Sequence, residues 1–489
     1  MQKGGGPVSG KKEILSVGID IGTSTTQVIF SRIAMENTAG YFTIPKVSIV
    51  EKEIVYRSEI HTTPLLNRSL IDGERVRELV AAEFQRAGFT PADTGTGAVI
   101  ITGESARKEN SALVLEKLSG FAGEFVVSTA GPDLEAIIAG KGSGAQQYSQ
   151  EMSSTAVNLD IGGGTTNIAL FDGGRTAGKG CLDIGGRLIR LAPDYTVTYL
   201  SPAAALVAES RGVSLREGER ASLPELREVC RGMAQLLEEA LGLAPPSPLL
   251  RQVQTPGSSW LDLAGQKPVR AIFFSGGVAD GVYRGISPGE DPIPYGDIGL
   301  LLGEAIREGR LCSAFRLEKG RETIRATVVG AGSYTTTLSG STITYTTPEV
   351  FPLKNVPVLK LSPEEQEAGF GGEAGPIAER VRWFLRQSDS SYLVIALEGE
   401  ADPSYPRLKA LAGAAAQAAK ELPPEAPLLL VVESDIAKAL GQAVAARLEG
   451  RPVVALDSIH VEQNDYMDLG RPLMDGLVVP VVVKTLIFG

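Results

Sequence analysis

Short runs of apolar residues that stop at glycines dominate the pattern of this chain. One run covers 157–161, carries the carboxylate of Asp160, and is followed by a glycine turn and a second apolar run ending at Phe171. This pattern predicts two strands joined as a hairpin. Glycine backbones can turn their N–H groups toward phosphate oxygens, and a carboxylate at the turn can reach a divalent cation. The hairpin is therefore expected to hold an anion and a metal; a plain glycine turn is the alternative.

A second copy of the pattern lies near the start of the chain. Aligning Asp20 with Asp160 pairs Gly22 with Gly162 and brings the following threonines into register. Internal repetition of this kind predicts two similar half-domains that face a shared cleft, with one aspartate on each wall. The turn residues expected to cradle phosphates are Gly22, Thr23, Ser24, Thr25, Gly162, Gly163, Gly164 and Thr165.

Two further predicted strands end at polar or glycine residues. The strand at 98–102 stops at Thr102, and Glu104 follows closely. In open α/β sheets, ligands collect beyond the carboxyl ends of the strands, so both residues are candidate site residues. The strand at 271–275 runs into Gly276-Gly277, where a nucleobase or ribose could lie flat against the backbone. A simple strand-end turn is the alternative for this double glycine.

Small residues also stand out between these strands. The Asp-Ile-Gly-Gly sequence of the Asp160 hairpin recurs at Asp183, where it is followed by a helix-like stretch at 187–191. A strand, a carboxylate, paired glycines and a helix start together predict another anion-binding arrangement. The segment 329–332 is expected to pack closely on another helix or strand, and the small polar stretch 142–154 predicts a loop between the two halves.

Amphipathic spacing predicts helices around these motifs and a third domain after them. A helix at 72–88 has Asp72 as its candidate N-cap and Gly88 just past its end. A helix at 223–243 precedes a Pro/Ser-rich loop at 244–259. Beyond 375, alternating strands and helices predict a compact α/β unit without a phosphate-binding motif. Its expected strands are 392–397, 428–432, 453–456 and 478–487, and its expected helices are 406–418 and 434–448, the latter capped by Ser434 or Asp435.

Length and charge limit the class of protein. With 489 residues, 43% of them hydrophobic, the chain is too long for one core, and two to four domains are expected. The net charge of −11 argues against nucleic acid or an anionic membrane as a partner, because both require a basic face. The longest apolar run, 478–488, is too short to span a bilayer. The expected divisions are a flexible tail at 1–12, half-domains at 13–150 and 151–348, and a C-terminal α/β domain at 349–489.

The composition leaves carboxylates, hydroxyls and backbone amides to carry the chemistry. His61 and His460 are the only histidines, which argues against a histidine triad or a multi-histidine metal site. Three cysteines without a CxxC pair argue against a disulfide framework and fit a cytoplasmic protein. The remaining groups suit ATP and Mg²⁺, with Asp20 and Asp160 approaching the ion and its waters from opposite walls. A carboxylate would then orient the attacking water.

The order of these motifs resembles that of the actin, Hsp70 and sugar-kinase ATPase superfamily. It runs from the Asp20 hairpin through a connecting helix ending at Gly140, the Asp160 hairpin, and the segments 275–277 and 329–332. The chain resembles more closely the family of ethanolamine ammonia-lyase reactivating factors, over nearly all of its length. The segments that carry this closer resemblance are 19–26, 101–110, 130–135, 160–167 and 480–488.

The closer resemblance implies an ATP-dependent chaperone. Such a protein recognises ethanolamine ammonia-lyase holding a damaged cobalamin, loosens that complex at the expense of ATP, and lets intact adenosylcobalamin enter. Related diol dehydratase reactivases resemble this chain at a strand-end threonine and two aspartates, which implies a metal site of Thr102, Asp160 and Asp183 with Asp20 opposite. The resemblance further implies a cytoplasmic protein, and it leaves open both an association with a bacterial microcompartment and a homo-oligomer.

One position departs from the superfamily pattern. The Hsp70 connecting helix begins with a catalytic glutamate before a proline, whereas Gly131 precedes Pro132 in this chain. Glu104 or Glu135 would then have to position the attacking water, or ATP turnover is slow. A slow Mg-dependent ATPase suits a switch whose output is conformational, because nucleotide need only bind two cleft states with different affinity.

Two other functions of the same fold compete with the chaperone. A small-molecule kinase would carry a general base in the first half, and one metabolite would greatly raise its ATPase rate. An actin-like scaffold would sediment in an ATP-dependent manner, and the long C-terminal α/β addition fits it less well.

Overall fold

The computed structural model describes residues 11–485 apart from short gaps. The residues outside the description are 1–10, 39–46, 68, 119–120, 122–126, 130–131, 257, 262, 264–266, 335–336, 341, 388–389, 464 and 486–489. Most of the predicted N-terminal tail and Gly131 therefore lie outside the described residues.

The first part of the chain builds one mixed sheet. Its elements are β1 (Lys12–Ile21), β2 (Thr25–Asn37), β3 (Val47–Arg57), β4 (His61–Thr62), α1 (Gly73–Ala87), β5 (Thr94–Ile101), α2 (Ser111–Leu118), β6 (Val127–Thr129) and α3 (Pro132–Gly142). The strands lie in the order β3-β2-β1-β5-β6, and β4 also pairs with β2. β1 runs antiparallel to β2 and parallel to β5, so the carboxyl ends of β1 and β5 meet at one edge.

The second part of the chain builds a second sheet. Its elements are α4 (Ala145–Glu151), β7 (Thr155–Ile161), β8 (Thr166–Asp172), β9 (Arg175–Leu182), β10 (Ile189–Leu191), β11 (Val197–Leu200), α5 (Pro202–Ser210), α6 (Leu223–Ala240), α7 (Pro248–Gln252), β12 (Ala271–Ser275), α8 (Ala279–Arg284), α9 (Gly299–Glu308), α10 (Leu311–Ala314) and β13 (Arg316–Leu317). The sheet order is β13-β12-β7-β8-β9, and β10 pairs with β11 in a separate ribbon.

The two sheets share one topology. In each, the strand that bears the aspartate pairs antiparallel with the next strand of its hairpin and parallel with a strand that arrives later in the chain. The outer strands continue this order on both sides, so β3 corresponds to β9 and β6 to β13. This repeated topology confirms the predicted α/β fold with two actin-like, ribonuclease H-like half-domains.

The third part of the chain forms an eight-stranded sheet flanked by helices. Helix α11 (Ala326–Tyr334) precedes this sheet and packs elsewhere. The elements of the third part are β14 (Thr337–Leu338), β15 (Thr344–Tyr345), β16 (Leu353–Lys360), α12 (Pro363–Phe370), α13 (Gly375–Gln387), β17 (Val394–Leu397), α14 (Tyr405–Ala418), β18 (Leu428–Val432), α15 (Ala437–Ala445), β19 (Val453–Asp457), β20 (Asp465–Leu469) and β21 (Pro480–Thr485). Strands β16 to β19 are parallel neighbours, and the flanking strands pair antiparallel. The predicted C-terminal strands and the α/β character are confirmed, while the three domain boundaries stay a prediction.

Two helices cross between the sheets. Helix α3 packs on β7, β8 and β9 of the second sheet, whereas α11 packs on β1, β2 and β5 of the first and also on α3. Glycines let the backbones touch: a Cβ on Gly330 would lie 2.1 Å from the carbonyl oxygen of Ile138, and one on Gly18 would lie 2.6 Å from that of Val328. The predicted close packing of the 329–332 segment is confirmed.

Three local predictions fail where tertiary contacts decide the conformation. The stretch 142–154 is not a loop, because Gly144 adopts a left-handed conformation (φ 92°) and starts helix α4 against the second sheet. The stretch 187–191 is not helical; it contains strand β10, whose Arg190 pairs with Tyr199 of β11. The predicted loop 244–259 contains the short helix α7, capped by Ser247.

Helix ends follow the predicted signals in one case and not in another. At α1, the Asp72 side chain accepts from the backbone N–H of Arg75 at 3.2 Å, and Gly88 closes the helix with φ 76°. The helix predicted over 434–448 begins instead at Ala437, and no side chain caps it. In the described part of the chain, no helix combines the length and apolar character needed to cross a membrane.

Candidate functional site

The two glycine hairpins have matching geometry. In the first, the backbone N–H of Gly22 donates to the carbonyl of Thr25 at 2.8 Å; in the second, Gly162 donates to Thr165 at 2.9 Å. In each sheet, the aspartate stands near the end of the strand that precedes the turn. The sequence repeat therefore reflects two structurally equivalent turns.

The tips of the hairpins lie against each other. A Cβ on Gly163 would lie 3.2 Å from the Ser24 hydroxyl oxygen, so the glycine lets the two turns approach. The Ser24 hydroxyl is shielded from solvent and has no hydrogen-bond partner among the described residues. A buried hydroxyl without a partner costs free energy, and a phosphate oxygen at this point would satisfy it.

Asp20 forms the first wall of the cleft. Its Oδ1 accepts a hydrogen bond of 2.9 Å from the hydroxyl of Thr102, which the sequence predicts as a site residue at the end of a strand. Burial raises the pKa of Asp20 to about 7, helped by the negative charge of Asp160 and opposed by the Thr102 hydrogen bond. The structure thus brings together two elements that were predicted separately, the Asp20 hairpin and Thr102.

Asp160 forms the opposite wall and is held by hydroxyl groups. Ser275 donates to its Oδ1 at 2.6 Å from the end of β12, and Thr327 donates to its Oδ2 at 3.3 Å from helix α11. Burial raises the pKa of Asp160 to about 6, while these two hydrogen bonds and one from Asn167 oppose the shift. One carboxylate thereby connects the second hairpin to the helix that lies on the first sheet.

Glu135 adds a third carboxylate from helix α3. Its Oε2 accepts from the backbone N–H of Gly103 at 3.2 Å. Burial raises its pKa well above the usual value, and the charges of Asp160 and Asp20 raise it further. The three carboxylates therefore share one electrostatic environment, and the role of Glu135 in positioning water stays a prediction.

This cluster is suited to a cation that keeps part of its water shell. No ion pair between described residues involves Asp20, Glu135 or Asp160, so no cationic side chain of the described part neutralises a negative charge on them. Within the described ranges, no group of three or more His, Cys, Asp or Glu side chains is arranged to bind a metal directly. Mg²⁺ characteristically retains waters and uses one or two carboxylates together with substrate phosphates, which fits these residues.

The Asp-Ile-Gly-Gly segment that begins at Asp183 supports the second hairpin. The backbone N–H of Gly186 donates to the carbonyl of Gly162 at 2.9 Å, and Gly185 lies against Gly163 and Gly164. The Asp183 carboxylate accepts a 2.7 Å hydrogen bond from Thr255. Because strand β10 replaces the predicted helix, no helix start is available for an anion here. The role of Asp183 as a metal ligand stays a prediction.

Other predicted residues fall at the edges of the cleft. Gly276 (φ 83°) touches the second hairpin, since a Cβ there would lie 2.3 Å from the carbonyl oxygen of Ile161. A Cβ on Gly277 would meet no atom within 4 Å, which leaves room for a flat ligand. Thr23 lies against Gly103. Glu104 is in a short 3-10 helix at 103–107, and its side chain is outside the described part.

Sequence reasoning missed several residues that hold the carboxylates. In the sequence, Ser275 stands out only as part of the double-glycine motif, and no pattern marks Thr327. Asn167 hydrogen-bonds both Asp160 and Glu135, and its pairing with Gln27 in the repeat was a signal that could have revealed it. Asn158 donates to the Ser275 hydroxyl at 3.0 Å and extends this network.

Comparison with known proteins places the chain in a family. The family model of the ethanolamine utilisation protein EutA matches residues 12–489. The ethanolamine ammonia-lyase reactivase EutA of Salmonella typhimurium (strain LT2) is 36% identical over 98% of this chain and 99% of its own length. The corresponding reactivase of Escherichia coli (strain K12) is also 36% identical, with the same coverage.

Solved structures give more distant matches. A PPX-GPPA enzyme of Aquifex aeolicus is 15% identical with a TM-score of 0.36, and the match covers 66% of this chain and 90% of that one. The ethanolamine utilisation protein EutJ of Carboxydothermus hydrogenoformans is 15% identical with a TM-score of 0.30, covering 65% and 89%. The family model and the two full-length relatives decide the assignment: the chain belongs to the ethanolamine utilisation protein EutA family.

Proposed function

We propose that this protein is an ATP-dependent reactivating chaperone of ethanolamine ammonia-lyase. The observation that carries the proposal is the 36% identity, over 98% of the chain, with two relatives named as reactivases of that enzyme. In this proposal, the protein recognises lyase holding a damaged adenosylcobalamin, releases the damaged cofactor and leaves the site open to intact adenosylcobalamin. In this proposal it acts in the cytoplasm, in association with a bacterial microcompartment.

The cleft supports the ATP requirement of this proposal. Backbone amides of the two hairpins would cradle the phosphates, and the Ser24 hydroxyl would donate to a phosphate oxygen. Asp20 and Asp160 would hold Mg²⁺ through its waters, with Thr102 and Asp183 at its margin. When bound, the ion neutralises charge on the phosphates. The Glu135 carboxylate, buried beside both aspartates, would hold an attacking water through a hydrogen bond.

The two crossing helices provide a way for nucleotide binding to change the conformation of the protein. Thr327 on α11 donates to Asp160, and Glu135 on α3, the helix packed on the second sheet, accepts from Gly103, which follows strand β5 of the first sheet. A change at the cleft therefore acts on both helices, each of which is packed on one sheet. A nucleotide shifts such an equilibrium only by its difference in affinity for the two cleft states. Slow hydrolysis is sufficient for this use, because it only resets the state.

A reconstitution assay tests the proposal. Ethanolamine ammonia-lyase is inactivated with cyanocobalamin and then incubated with this protein, ATP, Mg²⁺ and adenosylcobalamin, and deamination is measured. We expect activity to return only when all four additions are present. Matched reactions without ATP or without Mg²⁺ serve as controls. Absence of reactivation across a range of chaperone-to-lyase ratios would refute the proposal.

A further inference from the structure

Arg187 lies directly beside the tips of the phosphate hairpins. Its backbone N–H donates to the carbonyl of Gly163 at 2.7 Å. The Cβ and Cδ of Arg187 each lie 3.5 Å from the position that a Cβ on Gly163 would occupy. The Ser24 hydroxyl oxygen lies 3.2 Å from that same position. The stem of Arg187 and the unpartnered Ser24 hydroxyl thus flank the point where the two hairpins meet.

A buried carboxylate holds the Arg187 side chain in place. The guanidinium Nε donates to Asp297 Oδ2 at 3.2 Å, and the other oxygen of Asp297 accepts from the Gly299 backbone at 2.9 Å. Asp297 is 8% exposed, whereas the Arg187 side chain is 36% exposed. Among the described residues, the guanidinium makes no second hydrogen bond, so both Nη groups remain available. Because Nε is bound to Asp297, the edge of the planar Arg187 guanidinium that carries the two Nη groups is free to bind a ligand.

The anchored guanidinium of Arg187 is suited to binding a phosphate. The guanidinium presents paired N–H donors that match the oxygens of a phosphate, and anchoring by a carboxylate reduces the conformational entropy lost on binding. We propose that Arg187 binds the polyphosphate of the nucleotide and that Asp297 is its positioning residue. This inference rests on the proposed ATP-binding function and adds to it a cationic contact that the hairpins and Mg²⁺ do not provide.

Arg190 provides a matched control for Arg187. It lies on the same short segment and carries the same charge, but it is exposed and its guanidinium stacks 5.5 Å from the centre of the Tyr199 ring. Removing the charge of Arg190 changes the net charge of the protein by the same amount as removing the charge of Arg187. Arg190 also pairs with Asp297 through an isolated backbone bridge, and its charge favours the ionised form of that carboxyl without a hydrogen bond to it. A difference between the two variants therefore reports the hydrogen-bonded contact of Arg187, and neither the net charge nor the charge near Asp297.

Calorimetric titration of the full-length protein tests the inference. Arg187→Gln and Arg190→Gln are titrated with Mg-ATP, Mg-ADP and adenosine. A charge-assisted hydrogen bond to phosphate contributes about tenfold or more in affinity. We expect Arg187→Gln to bind both nucleotides at least about tenfold more weakly and to bind adenosine as the parent does, with Arg190→Gln unchanged. Parent-like binding of Mg-ATP by Arg187→Gln would overturn the inference and leave the proposed function intact. A parent that binds no Mg-ATP would overturn both.

A second variant tests the positioning role of Asp297. Asp297→Asn keeps the shape of the side chain and weakens its hold on the guanidinium. We expect a several-fold loss of Mg-ATP affinity with unchanged adenosine affinity and an unchanged thermal transition of the nucleotide-free protein. An equal loss for adenosine and Mg-ATP would indicate a structural role only and would overturn this assignment.

Discussion

A Cβ on Gly142 would lie 1.9 Å from the carbonyl oxygen of Ala326, so helices α3 and α11 touch backbone to backbone. Each of these helices packs on a different sheet. The contact therefore joins the two half-domains at the level of the main chain, where no side chain can adjust. A contact of this kind transmits a displacement of one helix directly to the other.

Substitution of Gly142 tests this contact. We expect Gly142→Ala to lower the free energy of unfolding by about 1–3 kcal/mol, because the added methyl group forces the helices apart. Urea unfolding measures the change. The control is Gly413→Ala in α14, where a Cβ would meet no atom within 4 Å. It should be neutral or stabilising by up to about 1 kcal/mol, since alanine favours the helix. Equal effects at the two positions would contradict a specific role of the Gly142 contact.

The predictable part of the site is the part encoded locally. An aspartate at a strand end, a glycine turn and two threonines lie within a few residues, so the hairpins at Asp20 and Asp160 could be located from their pattern. The repeat extended this to two walls of one cleft. The partners of Asp160 could not be located in this way, because Ser275 and Thr327 reach it from distant parts of the chain.

The failed predictions have the same origin. Strand β10 has three residues and exists because β11 pairs with it, which a short apolar run cannot reveal. Helix α4 is rich in polar residues, and its backbone is stabilised by packing on the second sheet and by the buried Ser149 hydroxyl, which donates to the carbonyl of Ser154 at 2.6 Å. In both segments, tertiary contacts outweigh the weak local preference.

Substitution of Asp160 separates the ligand role of the second hairpin from its structural role. We expect Asp160→Ala to lose detectable Mg-ATP binding, measured by calorimetry, while the far-UV circular dichroism stays that of the parent. Asp160→Asn is the matched control, since its amide oxygen can still accept from Ser275 and its NH2 group can donate to the Thr327 hydroxyl oxygen, while the charge that attracts the cation is removed. It should bind Mg-ATP weakly. If Asp160→Ala binds Mg-ATP like the parent, the hairpin is a structural turn.

The buried carboxylates predict a stability that falls as the pH rises. Burial raises the pKa of Asp20 from 3.8 to about 7, so the folded state holds a proton that the unfolded state has lost between these values. This contribution is present below pH 4 and is lost as the pH rises through 7, with a slope of up to about 1.4 kcal/mol per pH unit.

Urea unfolding of the nucleotide-free protein at pH 5 and pH 8 measures this slope. We expect a higher free energy of unfolding at pH 5, a flatter profile in Asp20→Asn, and a flatter profile in the parent with Mg-ADP, because the cation stabilises the ionised carboxylate. An identical slope in Asp20→Asn and the parent would show that the dependence arises elsewhere.

Ser24 should separate stability from nucleotide affinity. Its hydroxyl is buried without a partner among the described residues, so Ser24→Ala removes a polar group that the nucleotide-free fold does not satisfy. We expect the free energy of unfolding without nucleotide to stay equal or rise by up to about 1 kcal/mol. Mg-ATP affinity should fall by about tenfold, because a donor to phosphate is lost.

Ser105→Ala is the comparison for Ser24→Ala. The Ser105 hydroxyl donates to the carbonyl of Gly22 at 3.0 Å, so its loss should reduce stability instead. A stability loss in Ser24→Ala with unchanged Mg-ATP affinity would place Ser24 among the structural residues of the turn.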